Sequence, residues 1–161
     1  MKKMNFQRGF TLIELLVVVA IIAALTSITL GYLSSSRKRG GDAGIKSNLE
    51  TVRAVSEIFY LDNSNSYLPA GGEAFSIDTC PVYSSSGTNM LSKNKSTADA
   101  IAEATKRGVG NSCYNSSEVW SVAIGLNEVP NTSWCIDNSG AARIESSAVS
   151  SAINPSTGLC N

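Results

Sequence analysis

A single carboxylate, that of Glu14, lies near the start of a long apolar run. From Phe10 to Leu33 the run contains no other charged side chain. Its length exceeds the roughly 20 residues that a helix needs to cross a bilayer. A carboxylate in such a segment costs on the order of 2–4 kcal/mol at the membrane centre and less near the interface. The chemistry to look for is therefore a positive partner that offsets the charge of Glu14.

Two interpretations of this N-terminal region compete. In the first, it is an ordinary signal peptide or signal anchor, cut within residues 23–27 or not at all, and Glu14 is incidental. The apolar run is long for that purpose, because a secretory apolar region usually has ~7–15 residues. In the second, residues 1–9 are a basic, polar leader, and the bond between Gly9 and Phe10 is itself the processing site.

The sequence RGFTLIELLVV, which begins at Arg8, resembles the class III signal of the type IV pilin family, which includes the type II secretion pseudopilins. This resemblance covers residues 1–33. It implies that a prepilin peptidase cuts after Gly9 on the cytoplasmic face and that Phe10 becomes an N-methylated N-terminus. It also implies that Glu14 meets the N-terminal amine of a neighbouring subunit during assembly.

Four cysteines, Cys80, Cys113, Cys135 and Cys160, follow the apolar run. None forms a C-x-x-C pair and the chain has no histidine, so the usual zinc spacings are missing and no metal or cofactor is expected. An even number of cysteines in an exported domain indicates two disulfides, for which three connectivities are possible. Locality and the C-terminal disulfide loop of the resembling family imply the pairs Cys80–Cys113 and Cys135–Cys160.

The charges give little indication of a nucleic-acid partner. The chain has 13 basic and 13 acidic residues, and loss of the three basic leader residues leaves 10 against 13. That weak negative balance gives no reason to expect nucleic-acid binding. The basic cluster Arg37-Lys38-Arg39 is expected to be solvated or at the level of the lipid headgroups.

The membrane topology depends on more than the flanking charges. Basic residues stand on both sides of the apolar run, so the positive-inside rule gives little contrast. The leader is placed in the cytoplasm because the cysteines favour an oxidising compartment for the rest of the chain, and because the resembling family requires it.

One long helix is predicted over residues 10–61. Residues 10–33 are its apolar, transmembrane half. Residues 34–62 are its amphipathic half, because apolar side chains return there at helical spacing. The pair Gly40-Gly41 is compatible with a continuous helix or with a linker. Turn-forming residues at 62–66 are expected to end the helix.

Residues 63–161 are predicted to form a globular head. A short helix is expected over 96–108, from a capping candidate, an early acid, a late base and a glycine stop. Three strands are expected at 119–126, 132–136 and 141–145, joined by turns. They would cover the apolar face of the long helix as an antiparallel meander. The fold class is therefore α+β, a long N-terminal helix on a small antiparallel sheet, which resembles the pilin fold.

The head offers few residues for chemistry. The segment beginning at Asp137, DNSG, has oxygen ligands that suit calcium, but a hairpin turn explains these residue types better. Trp120 and Trp134 are expected in the core rather than as an exposed binding pair. Three N-x-S/T matches, at positions 94, 115 and 131, are expected by chance. With no nucleophile–base set, phosphate loop or carboxylate pair, no catalytic activity is predicted.

The sequence predicts a structural subunit of a type IV pilus-like filament. It would be a single-pass protein of the inner (plasma) membrane before assembly, and part of an extracellular pilus or a periplasm-spanning pseudopilus afterwards. Its partners would be further copies of the chain, a prepilin peptidase and an inner-membrane assembly platform. One alternative is a pseudopilin of a type II secretion or DNA-uptake machine. Another is a signal-anchored exported binding domain that does not polymerise. Only the filament interpretations predict a chain that starts at methylated Phe10.

Overall fold

The computed structural model describes residues 9–161, and it confirms the α+β class. A 51-residue helix, α1, is followed by a longer region, residues 63–161, that contains two shorter helices and five strands. The elements are α1 Leu12–Asp62, β1 Phe75–Asp78, α2 Met90–Lys93, α3 Lys95–Arg107, β2 Asn111–Asn115, β3 Trp120–Gly125, β4 Ser133–Asp137, β5 Ala142–Glu145 and a 3-10 turn at Val149–Ser151.

Helix α1 continues through Gly40 and Gly41, so these residues are not a linker. The chain divides into two compact units between Arg37 and Lys38. Within the second unit, a β-carbon at Gly41 would lie 3.4 Å from the side-chain nitrogen Nδ2 of Asn127. A β-carbon at Gly44 would lie 2.9 Å from Cδ of Arg107. At Gly44, therefore, the absence of a side chain allows Arg107 to approach the helix closely.

The second half of α1 buries one face. Ile45, Leu49 and Val52 are fully buried in the main core cluster. Their spacing of four and then three residues places them on the same side of a helix with 3.6 residues per turn. Burial of each of these side chains is worth about 1.5–3 kcal/mol. The predicted amphipathic helix is therefore held by tertiary packing of this face.

The sheet has five antiparallel strands in the sequential order β1-β2-β3-β4-β5, rather than the three that were predicted. The predicted strands correspond to β3, β4 and β5. Strand β1 was missed because its alternating sequence, FSID, is only four residues long, and β2 was missed because its sequence, NSCYN, is largely polar. Each is held in the sheet by its neighbour: all five residues of β2 have partners on β3, and β1 pairs with β2.

Every residue of β3 is buried, because both faces of the sheet are covered at this strand. Trp120, Val122 and Ile124 belong to the core cluster that includes α1, as side-chain alternation along a strand requires. Ala123 points to the opposite face, where it packs with Cys135, Cys160 and two residues of the C-terminal tail.

Asparagine side chains cap both short helices. The Oδ1 atom of Asn94 accepts a hydrogen bond from Thr97 N at 3.1 Å, which starts α3 one residue before the predicted helix. Asn89 caps α2 in the same way through Ser92 N at 3.0 Å. Helix α3 ends at Arg107, and Gly108, the predicted glycine stop, is its C-cap.

Candidate functional site

The N-terminal end of α1 is closed by a reciprocal pair of side chains. The hydroxyl of Thr11 donates to Oε2 of Glu14 at 2.7 Å, and the Thr11 N–H donates to the same oxygen at 2.9 Å. In return, Glu14 N donates to the Thr11 hydroxyl at 3.3 Å. This arrangement is a capping box, with Thr11 at the N-cap and Glu14 three residues later. Glu14, which resembles the family's assembly carboxylate, therefore completes the cap of its own helix.

The capping box was missed in the sequence analysis, although its signal is present. The pattern T-x-x-E directly before an apolar run is the known signature of this motif.

The bond between Gly9 and Phe10 lies just before the helix. Both residues are exposed, and the Phe10 side chain is 86% exposed. A β-carbon at Gly9 would meet nothing within 4 Å, so local packing does not explain a glycine here. Cleavage after Gly9 and methylation of Phe10 stay predictions. The basic leader residues Lys2, Lys3 and Arg8 lie outside the described part of the chain.

The apolar part of α1 is exposed throughout the described side chains between 10 and 29. Among the residues that the structure describes, this helix alone is long and apolar enough to cross a membrane, by length and composition. The hydroxyls of Thr26 and Ser27 donate to the carbonyls of Ile22 and Ala23, at 2.6 and 2.9 Å. These polar groups are thus satisfied within the helix, as a hydrocarbon environment demands.

The four cysteines form two disulfides. Cys80 is bonded to Cys113, which ties the segment after β1 to β2. Cys135 is bonded to Cys160, which ties the C-terminal tail to β4. These are the pairs that the family resemblance and locality imply.

The DNSG segment is a turn whose carboxylate is fully engaged. Asp137 is 1% exposed, and its Oδ1 accepts hydrogen bonds from Ser139 N at 2.9 Å, the Ser139 hydroxyl at 2.6 Å and Ala141 N at 3.2 Å. Its Oδ2 accepts one from Cys160 N at 2.9 Å. Asp137 therefore joins the β4–β5 turn to the end of the disulfide-linked tail.

The other candidate residues have structural roles. Trp120 is fully buried in the core, and Trp134 is half-buried with the Lys46 ammonium 4.5 Å from its ring centre. Of the three N-x-S/T asparagines, Asn94 caps α3 and Asn115 is fully buried, with Oδ1 accepting from Met90 N at 2.9 Å.

Tyr67 links α1 to the sheet through an aromatic cluster. Its hydroxyl donates to Oε1 of Glu57 at 3.0 Å, and its ring centre lies 4.6 Å from Tyr60 and 6.4 Å from Trp120. Burial, followed by the hydrogen bond to Glu57, raises the pKa of Tyr67 to about 12. The phenol is therefore a neutral donor that helps to hold the chain where it leaves α1.

Comparison with known proteins matches the N-terminal region to a described family and the chain to pilins and a pseudopilin. Residues 4–30 match a family described as the prokaryotic N-terminal methylation motif. Over 64 residues the chain is 42% identical to the type IV wide pilus major component PilA4 of Thermus thermophilus, covering 40% of this chain and 48% of that relative. Over 61 residues it is 33% identical to the type II secretion system core protein G of Klebsiella pneumoniae, covering 38% and 44%.

A longer match extends into the head. The chain is 31% identical over 113 residues to the type IV major fimbrial protein FimA of Dichelobacter nodosus, covering 63% of this chain and 72% of that relative. The chain spans slightly less than half the length of the first two relatives. Comparison with solved structures gave no significant match. The chain belongs to the type IV pilin and type II secretion pseudopilin family, as shown by the methylation motif, the long helix with its antiparallel sheet, and the match to the fimbrial protein.

Proposed function

We propose that the chain is a structural subunit of a type IV pilus-like filament, assembled through α1. The observation that carries this proposal is an uninterrupted helix whose apolar part, exposed along its described side chains from 12 to 29, lies within the matched methylation motif at residues 4–30. An apolar surface of this size needs lipid or other copies of itself. The inner membrane would hold the subunit before assembly, and a bundle of α1 helices would cover it afterwards.

Processing creates the positive partner that Glu14 needs. Cleavage after Gly9 by a prepilin peptidase would leave an amine on Phe10, and methylation would keep its charge. In the isolated subunit, Glu14 is held by Thr11 of its own chain. In the filament, the Phe10 amine of an added subunit would meet Glu14 of an earlier one. Because an unpaired charge inside an apolar bundle is costly, this pair would favour one stagger of subunits over others.

A pseudopilin of a type II secretion machine is the second candidate. It is supported by the 33% identity to core protein G over 61 residues. The two candidates differ in where the filament is found. Filaments sheared from the cell surface that contain this chain, with a mass that starts at methylated Phe10, would support the pilus. Filaments that contain this chain within the cell envelope but not at the cell surface would support the pseudopilus.

Four variants test the proposal. Gly9→Val should leave an unprocessed membrane protein and no filaments. Glu14→Leu removes both the charge and the cap, whereas Glu14→Gln removes the charge but keeps a side chain that can complete a capping box. Thr11→Val removes the hydroxyl half of the cap, at a cost of about 1 kcal/mol, and keeps the charge. Each variant is scored for membrane insertion, processing and filament yield.

Charge pairing and helix capping predict different patterns in these variants. If Glu14 acts by pairing, both Glu14 variants are inserted and processed but yield at least about tenfold fewer filaments, since removal of one partner of a buried pair costs about 3–5 kcal/mol. Thr11→Val then assembles almost normally. If capping is what matters, Thr11→Val and Glu14→Leu fail while Glu14→Gln assembles. Normal filaments from Glu14→Leu would refute the assembly role altogether.

A further inference from the structure

The start of the second unit is a basic end of the head at which three elements are joined by hydrogen bonds. The buried carboxylate of Asp42 accepts hydrogen bonds from Asn127 N at 2.8 Å, Asn127 Nδ2 at 2.9 Å and Glu128 N at 3.0 Å. Asn127 Nδ2 also donates to the backbone carbonyl of Arg107 at 2.7 Å. Helix α1, the end of α3 and the β3–β4 loop are thereby fastened together.

Positive charge and apolar side chains share this end. We define the basal surface as the exposed side chains of Lys38, Arg39, Arg107, Val109 and Val129. Val109 is 65% exposed and Val129 is 54% exposed. Lys38 and Val109 line one open groove of about 640 Å³ beside the β3–β4 loop.

The carboxylates near the basal surface are already engaged. Glu128 pairs with Arg39 at 2.7 Å, and Glu103 pairs with Lys106 at 2.5 Å. Asp42 is buried and accepts three hydrogen bonds. Within residues 9–161, neither Lys38 nor Arg107 has a carboxylate within salt-bridge distance. The surface is therefore open to an external anion.

Chain connectivity indicates what that anion is. Lys38 follows the end of the apolar segment, Leu33, by five residues, which span at most about 18 Å even when fully extended. Lipid headgroups and the interface occupy roughly the outer 5–8 Å of each leaflet. Exposed cations at this distance are attracted to anionic lipid, and neighbouring valines add apolar contact at the interface.

We propose that the basal surface docks on anionic lipid headgroups while the subunit waits in the membrane. This inference rests on the membrane anchor in the proposed function. The contact holds the head against the bilayer through Lys38 and Arg107, with the tip of the β3–β4 loop at Val129 touching the interface. It is electrostatic and exposed, so salt weakens it and assembly can break it.

A tryptophan reporter in the intact mature chain tests the contact. Single chains are placed in nanodiscs of phosphatidylcholine, with or without phosphatidylglycerol, that carry a nitroxide on some headgroups. Val129→Trp reports on the basal surface. Leu61→Trp is the matched control, because Leu61 is 72% exposed and lies about 33 Å farther along α1 than Arg39. The signal of the parent chain, from Trp120 and Trp134, is subtracted.

The proposal expects about twofold or greater quenching of Val129→Trp relative to Leu61→Trp, in phosphatidylglycerol discs only. Adding Lys38→Gln and Arg107→Gln, or ~1 M salt, where the Debye length is about 3 Å, should remove this difference. The charge-matched control, Lys93→Gln with Lys95→Gln, should leave the difference in place.

Two results separate failure of this inference from failure of the anchor. In a parallel sample, Ile21→Trp is measured with the nitroxide on the acyl chains. If Ile21→Trp is quenched, the anchor is in place. The docking contact is then overturned by equal quenching of Val129→Trp and Leu61→Trp, or by quenching of Val129→Trp that is the same with and without phosphatidylglycerol. If Ile21→Trp is not quenched, the membrane anchor itself is wrong, and the docking contact falls with it.

Discussion

Replacing Asp137 with asparagine tests how the C-terminal tail is held on the sheet. Asparagine keeps Oδ1, which accepts the three turn hydrogen bonds from Ser139 and Ala141. It replaces Oδ2 with an NH2 group that faces the N–H of Cys160, so that two donors oppose each other where a 2.9 Å hydrogen bond was. The change therefore removes one contact and leaves the turn its acceptor.

The expected loss follows from the burial of that contact. A hydrogen bond to a charged group is worth about 1.5–3 kcal/mol, and a buried donor without a partner adds a desolvation penalty. Asp137 is 1% exposed and Cys160 is 7% exposed, so water cannot replace the bond. We expect Asp137→Asn to lower the free energy of unfolding by about 2–3 kcal/mol. Ser139→Ala, on the exposed side of the turn, should lower it by only about 0.5 kcal/mol.

Guanidinium unfolding of the full chain in detergent, followed by tryptophan fluorescence, measures these differences. Trp120 is fully buried and reports directly on the core of the head. A loss below about 0.5 kcal/mol for Asp137→Asn, equal to that of Ser139→Ala, would refute the anchoring argument. Calcium in excess should leave the parent's midpoint unchanged. If calcium instead stabilised the parent but not Asp137→Asn, the turn would be a metal site and this account of its carboxylate would be wrong.

The further predictions concern Tyr67, just after α1, and two glycines, Gly40 in α1 and Gly125 in β3. The pKa of Tyr67 is about 12 in the folded chain and about 10 in the unfolded chain, so the unfolded chain loses this proton first as the pH rises. The free energy of unfolding should therefore hold below pH 10 and fall by about 1 kcal/mol by pH 11. Unfolding at pH 9 and pH 11 measures this fall, which Tyr67→Phe should lack; an identical fall in that variant would contradict the assignment. Gly40→Ala should stabilise the head by about 0.5–1 kcal/mol, because a β-carbon there meets nothing within 4 Å in a helix interior. Gly125→Ala should destabilise it strongly, because its β-carbon would collide with the backbone carbonyl oxygen of Val109. Thermal unfolding compares the two, and a loss of stability or of filaments in Gly40→Ala would indicate a hinge at that residue.

Local sequence was sufficient for the elements whose stability is local. An apolar run with a basic leader predicts a long helix with a processing signal, because helix formation depends on neighbours three and four residues apart. The strands that became β3, β4 and β5 were predictable for a similar reason, since turn-forming residues separate apolar stretches there. The fold class and the family could therefore be predicted from the amino-acid sequence alone.

Only the tertiary structure decided the remainder. Asn115 is fully buried in the polar strand β2 because the backbone of Met90, 25 positions away, donates to its side chain. Gly44 is understood only when the side chain of Arg107 is found against it. Neither partner lies close in sequence, so propensity and periodicity contain no trace of these contacts. The apolar pattern of this chain determined which segments become helix and strand, whereas its polar residues and glycines acquired their roles from the partners that folding brought to them.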